Sequence, residues 1–295
     1  MTAQMSRRDP RFAGQVAEKW LKDEGFTSLP IKPKVIAGHL GITVQAKPDT
    51  APGVSGILLR HGNHFGILYA THIASEGFQN FSIAHEIGHY LLEGHPESVF
   101  AGGGNVHASH AGFVSADPIE AEADNFAAGL LMPDFLFKLA LRRAGDGLEA
   151  IESLAGLCET SLTSTAIRYV QLTSVPAAVV MSTGNRIDYC FMSKAMQEFD
   201  GLNWPRKGEL LPDDVATERF VRDAHNIAEA RRHQADVDLR KWFGGPRKIE
   251  ILEEIQGLGA YGKTLTVITS EIFADDDADD DESIEEHWTP RFHRR

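Results

Sequence analysis

The chain has 295 residues, 42% of them hydrophobic, and a formal net charge of −13. That length suits one large domain or two modest ones, and no apolar run is long enough to span a membrane. The opening "MTAQMSRRDPRF" lacks the apolar core of a secretory signal, and the two cysteines, Cys158 and Cys190, exclude a disulfide framework, so a reducing cytoplasmic setting is expected.

Residues 12–21 read as a helix, and "LPIKPKVIAGHLGITVQ" as a second helix followed by a short strand. Residues 54–70 read as a β-hairpin, with "GILL" and "FGILY" flanking the turn "HGNH". His61 and His64 flank that turn and are expected to be exposed. A strand edge here would take an extended peptide by strand addition.

The next stretch, "SIAHEIGHYLLEGH", starts at Ser82 and contains H-E-x-x-H. Positions i and i+4 lie one above the other on a helix, so His85 and His89 can share one ion. Glu86 lies about 100° round the helix from His85. It is a poor co-ligand but well placed to take a proton from water, which is the chemistry of this motif. Ile83, Ala84, Ile87, Leu91 and Leu92 make the helix broadly apolar, as a core helix should be. Gly88 costs about 1 kcal/mol against alanine in a helix; close approach of another backbone is the expected reason.

A peptidase site built on zinc needs a third protein ligand and one open position. The segment "DPIEAEADNFAAGLLMP" offers acids on a second helix, with Asp117 as N-cap, Pro118 at its first position and Pro133 as its stop. Glu120, Glu122 and Asp124 are the acids, and the small residues Ala121, Ala123, Ala127, Ala128 and Gly129 predict tight helix–helix contact. Residues 93–116 between the two helices read as a long loop, a lid or a substrate-binding rim. Its His107 and His110 are expected to be solvent-exposed, and with Tyr90 they are the possible donors to an oxyanion.

"HEIGH" followed by "EAEADNFAAGLLMP" resembles the ImmA/IrrE-type metallopeptidases, over roughly residues 10–175. The resemblance implies zinc held by His85, His89 and a later glutamate, with Glu86 as general base. It also implies a cleaved protein partner, a transcriptional repressor of the Xre helix-turn-helix class, in stress response or mobile-element control. The E-x-x-x-D spacing of the wider gluzincins maps to Glu120 as ligand and Asp124 as the partner that orients a ligand histidine. Glu122 points about 200° away from Glu120 on the helix, so the two should not serve one ion, and Glu120 is preferred. Zn2+ is the expected cofactor, and another divalent cation such as Mn2+ can take its place where availability decides.

Residues 134–174 read as wholly helical, with a helix-turn-helix rhythm in "GLEAIESLAGLCETSLTSTAIRYVQLTS". The second helix carries Arg168 as its one cation, a poor grip on phosphates, so no strong direct DNA binding is expected. Residues 175–273 read as mixed α/β: a hairpin through Thr183-Gly184-Asn185, helix, then strands, a region the resemblance makes a diverged GAF-like regulatory domain. Asp275–Glu286 holds nine acids and no base, the signature of a solvated tail over 274–295.

The expected fold class is therefore α+β. A zincin-like peptidase core with a small sheet spans 1–133, a helical HTH-like segment 134–174, a mixed α/β domain 175–273, and an acidic tail follows. The expected function is a zinc metallo-endopeptidase. The alternative is a regulatory or antitoxin-type protein that sequesters a repressor without cutting it; pure binding needs no base at Glu86.

Overall fold

The computed structural model describes residues 10–48, 51, 53–110 and 117–274. The acidic run of the tail lies outside the described residues, as do 111–116 of the expected rim loop. The protein is α+β, with two small sheets. It divides into two compact units: one holds the chain up to Gly145 together with Glu149–Arg168, the other Asp146–Leu148 and the chain from Tyr169 on. No helix among the described residues is long and apolar enough to cross a membrane.

The first unit begins with α1 (Pro10–Asp23), α2 (Pro33–His39), β1 (Thr43–Lys47), β2 (Val54–His61) and β3 (His64–Ala70). It continues with α3 (Glu76–Leu91), α4 (His95–Val99), β4 (Val106–His110), α5 (Pro118–Leu131) and α6 (Asp134–Ala144). The helices α7 (Gly147–Cys158) and α8 (Leu162–Leu172) follow. The hairpin closes through Gly62 and Asn63, and Gly62 has a φ of 60°, a conformation glycine adopts without strain. His61 and His64 beside it are exposed, as expected.

The sheet order is β1-β3-β2-β4, with β1 parallel to β3 and the other pairs antiparallel. This corrects the reading of the hairpin as a free edge. Both hairpin strands are interior, and the edges fall to β1 and β4. It also corrects the reading of 93–116 as one long loop. Gly94 turns the chain with a φ of 78°, Pro96 starts α4, and "VHASH" pairs with β2 as an edge strand.

The helix α3 packs against β2 and β3 on one side and α5 on another. Its Ser75 cap accepts from the backbone N–H of Phe78, and the Asp117 cap of α5 accepts from that of Ile119. At Gly88 a Cβ would stand 3.1 Å from the Phe126 ring of α5, so it is an aromatic side chain, not a backbone, that requires glycine there. The close backbone approach is elsewhere: a Cβ on Gly129 of α5 would meet Gly14 of α1 at 2.5 Å. The small residues of α5 thus serve its packing on α1 as well as on α3.

Arg168 of α8 is a structural clasp. Its guanidinium donates to the Met132 carbonyl at 2.9 Å and to Glu18 at 3.0 Å, and pairs with Asp134 at 2.6 Å.

The second unit contains β5 (Ala177–Thr183), β6 (Arg186–Met192), α9 (Lys194–Gln197), α10 (Ala216–Val221), α11 (Ala224–Ala228), β7 (Arg232–Asp238), α12 (Leu239–Phe243), β8 (Glu250–Gly257) and β9 (Lys263–Thr269). Its sheet is antiparallel throughout in the order β6-β5-β9-β8-β7. Ala178, Val180, Ile251 and Ile268 on one face pack with Met196, Phe199, Trp242 and Phe243 in a single apolar core. Both cysteines are free and buried, one in each unit.

Candidate metal centre

The two histidines of H-E-x-x-H stand one turn apart on α3, and Glu120 comes from the first turn of α5. One ligand atom from each of His85, His89 and Glu120 lies within 4.8 Å of the others. In detail, His85 Nε2 is 3.1 Å from Glu120 Oε2, His89 Nε2 is 3.4 Å from Glu120 Oε1, and the two Nε2 atoms are 3.0 Å apart. Two imidazole nitrogens and a carboxylate oxygen converging from two helices form a donor set that suits zinc or a similar divalent ion.

The other ring nitrogen of His85 is 2.9 Å from Asp124 Oδ1, one turn along α5 from Glu120. Glu122 faces elsewhere: its Oε2 is 2.8 Å from His95 Nε2. The structure therefore brings together His85, His89 and Glu120, puts Asp124 behind His85, and keeps Glu122 out of the donor set.

Two further histidines join the site: His107, one of the possible oxyanion donors, and His95, to which the motifs did not point. His107 was expected on a solvent-exposed loop. It sits on β4 instead, half-buried, with Nε2 3.1 Å from Glu120 Oε1. Its ring centroid is 4.7 Å from that of His89. The period of two in "VHASH" turns His107 and Ser109 inward and leaves His110 exposed, a signal available in the sequence had the segment been read as a strand. His95, at the start of α4, is wholly buried against His89. Tyr90 packs its ring on Phe65 of β3 at 4.9 Å.

The charges follow from this crowding. Burial alone would lower the pKa of His85, but hydrogen bonds to Asp124 and Glu120 raise it to about 10. In the metal-free protein His85 is therefore a cation with both ring nitrogens donating. Burial lowers His89 to about 4, which keeps its imidazole neutral. Glu120 is pushed up by burial, yet His107, His85 and His89 together hold it far below the usual carboxylate range. Burial raises Glu86 to about 7, with His85, the Ser109 hydroxyl and His107 pulling it back.

Glu86 stands apart from the rest. It has no exposed surface, and among the described residues neither of its oxygens makes a well-formed hydrogen bond. The strand β2 leaves room for it: a Cβ on Gly56 would lie 2.4 Å from Glu86 Oε1. A buried carboxylate so poorly supplied with donors costs free energy unless something else is to meet it. This buried acid beside a convergent donor set is the observation that fits the residues to a bound metal ion.

Residues 37–168 match the family model of the IrrE N-terminal-like domain, the M78 peptidases. This stretch is similar to the M78 peptidase domain. The motif, its helix and the whole of α5 fall inside the matched stretch. No curated protein matches the chain. A solved structure described as a Mycobacterium tuberculosis transcriptional regulator is similar in fold, with a TM-score of 0.56 over 88% of this chain and 76% of that one, at 13% identity.

Proposed function

We propose that this M78-like domain is a zinc-dependent endopeptidase that cuts a protein partner in the cytoplasm, and that the partner is a helix-turn-helix transcriptional repressor. The observation that carries the reading is the fully buried Glu86, its oxygens in no well-formed hydrogen bond among the described residues, next to the three convergent donors of His85, His89 and Glu120. His85, His89 and Glu120 would hold the ion. When bound, it supplies Lewis acidity, acidifying water and polarising the scissile carbonyl.

This chain's own residues do the proton work. Glu86 accepts the proton of the attacking water and passes it to the leaving amine. A carboxyl with a pKa of about 7 is matched to both halves of that task. Asp124 accepts from His85 Nδ1–H and so leaves its Nε2 lone pair for the ion. His107, on the edge strand β4 and within 3.1 Å of Glu120, is the residue we assign as donor to the developing oxyanion.

The choice of a repressor as substrate rests on the family resemblance, and the second unit is proposed as a GAF-like regulatory domain on the same ground. The test is incubation of the purified protein with the product of the neighbouring repressor-like gene, with and without a chelator, beside Glu86→Gln. Cleavage that needs both metal and Glu86 supports the reading. Tight binding of an uncut repressor by the zinc-loaded wild type would replace it with sequestration.

A further inference from the structure

Behind His89 lies a second row of side chains that the proposed chemistry does not use. His89 Nδ1 is 3.1 Å from His95 Nδ1, and His95 Nε2 is 2.8 Å from Glu122 Oε2. His89 and His95 have no exposed surface and Glu122 is 8% exposed. The row starts on α3, passes through the first residue of α4, and ends on α5.

We propose that His95 and Glu122 are positioning residues that fix the His89 imidazole in the tautomer whose Nε2 lone pair faces the donor cluster. The inference rests on the metal-centre reading above and extends it.

The argument is an accounting of donors. A neutral imidazole has one N–H and one lone pair, and a carboxylate only accepts. Glu122 therefore draws the N–H of His95 to Nε2. The Nδ1 of His95 is then a lone pair, and an N–H on His89 Nδ1, 3.1 Å away, satisfies it. That leaves the lone pair of His89 on Nε2, the atom 3.4 Å from Glu120 Oε1 and 3.0 Å from His85 Nε2. The reversed order would set the lone pair of the buried His95 Nε2 against a carboxylate oxygen at 2.8 Å. A protonated His95 would donate from both nitrogens and force the His89 proton onto Nε2, where it would block the ion.

The same logic explains the local chain path. Leu92 leaves the helix, Gly94 reverses the chain in the left-handed region, and the single turn of α4 delivers His95 into the core. His85 and His89 are thus held by different devices: His85 directly by a carboxylate on α5, His89 through an intervening imidazole.

The test uses the full chain and reads the His89 tautomer by long-range proton–nitrogen correlation spectra of the metal-free protein, with zinc affinity measured against a competing chelator. The wild type should show His89 protonated on Nδ1. His95→Phe should give a mixture of tautomers and zinc binding weaker by about 10- to 100-fold. His95→Gln should restore affinity to within a few-fold of wild type, since its amide oxygen accepts from His89 and its N–H donates to Glu122. Glu122→Gln, whose amide can offer His95 either a donor or an acceptor, should fall between and serves where His95→Phe does not fold. A wild-type His89 protonated on Nε2 would overturn the proposal. So would a folded His95→Phe with unchanged tautomer and affinity, or a folded His95→Gln as weak as the phenylalanine variant. If the wild type takes up no zinc, the proposed function fails, while the metal-free spectra still decide the relay.

Discussion

Each of the two units buries a glutamate completely, Glu86 in the first and Glu253 in the second. Glu253 sits on β8 and caps α10: it accepts from the backbone N–H groups of Ala216 and Thr217 at 3.0 and 2.6 Å and from the Thr217 hydroxyl at 2.6 Å. That hydroxyl is also 2.7 Å from Thr266 of β9. Glu86 has no comparable donor and its pKa is pushed up to about 7. The same side chain at the same depth is structural in one unit, where its partners are built in. In the other, on the function proposed above, it is poised for a partner that comes from outside.

The comparison can be broken at either end. The largest effect is expected for Glu86→Gln, which should retain zinc and lose cleavage by about 10²- to 10⁴-fold, the usual contribution of a general base; metal analysis beside a cleavage assay checks it. Glu253→Ala should leave zinc binding untouched but lower stability by about 2–4 kcal/mol, because it strands two N–H groups in the core. Denaturant unfolding measures this, and an unchanged midpoint would remove the structural half of the contrast.

Glu86→Gln should do the opposite to the metal-free protein. A carboxyl raised from 4.5 to about 7 binds its proton more tightly when folded. Metal-free stability therefore falls as pH rises through that window and stays lower above it. Glutamine cannot ionise, so the variant should be the more stable by about 2–3 kcal/mol at pH 8 and no different at pH 4. Melting curves at the two pH values distinguish this from a simple packing change. The smallest effect is expected at Gly56→Ala, whose methyl intrudes on Glu86 Oε1. About 1–2 kcal/mol of stability should be lost to overpacking, with cleavage reduced and zinc retained.

The parts of the site written in one helix were legible in the sequence. His85, Glu86 and His89 follow from a helical period, and the cap of α5 follows from Asp117 and Pro118. The inward placing of His107 and the role of His95 depend on residues distant in sequence. His95 and His107 gain meaning only because α5 brings Glu122 and Glu120 to them. The strand β4 is short and carries three glycines before it, so it read as loop. The strand β8 is hard to read from the sequence for a related reason. In "EILEEIQG" the inward position at Glu253 holds an acid, so the apolar alternation fails at the residue that caps α10. Polar side chains that build another element's terminus erase the hydrophobic signal of their own.

The clasp at Arg168 bears on nucleic acid. Affinity for DNA grows with the number of counterions that lysines and arginines displace, and the salt dependence of binding counts them. The helix α8, second in the helix-turn-helix-like pair, has this single cation, and its guanidinium is already committed to Glu18, Asp134 and the Met132 carbonyl. Any association of DNA with α8 should therefore show almost no dependence on ionic strength, because the helix has no cation left with which to displace a counterion.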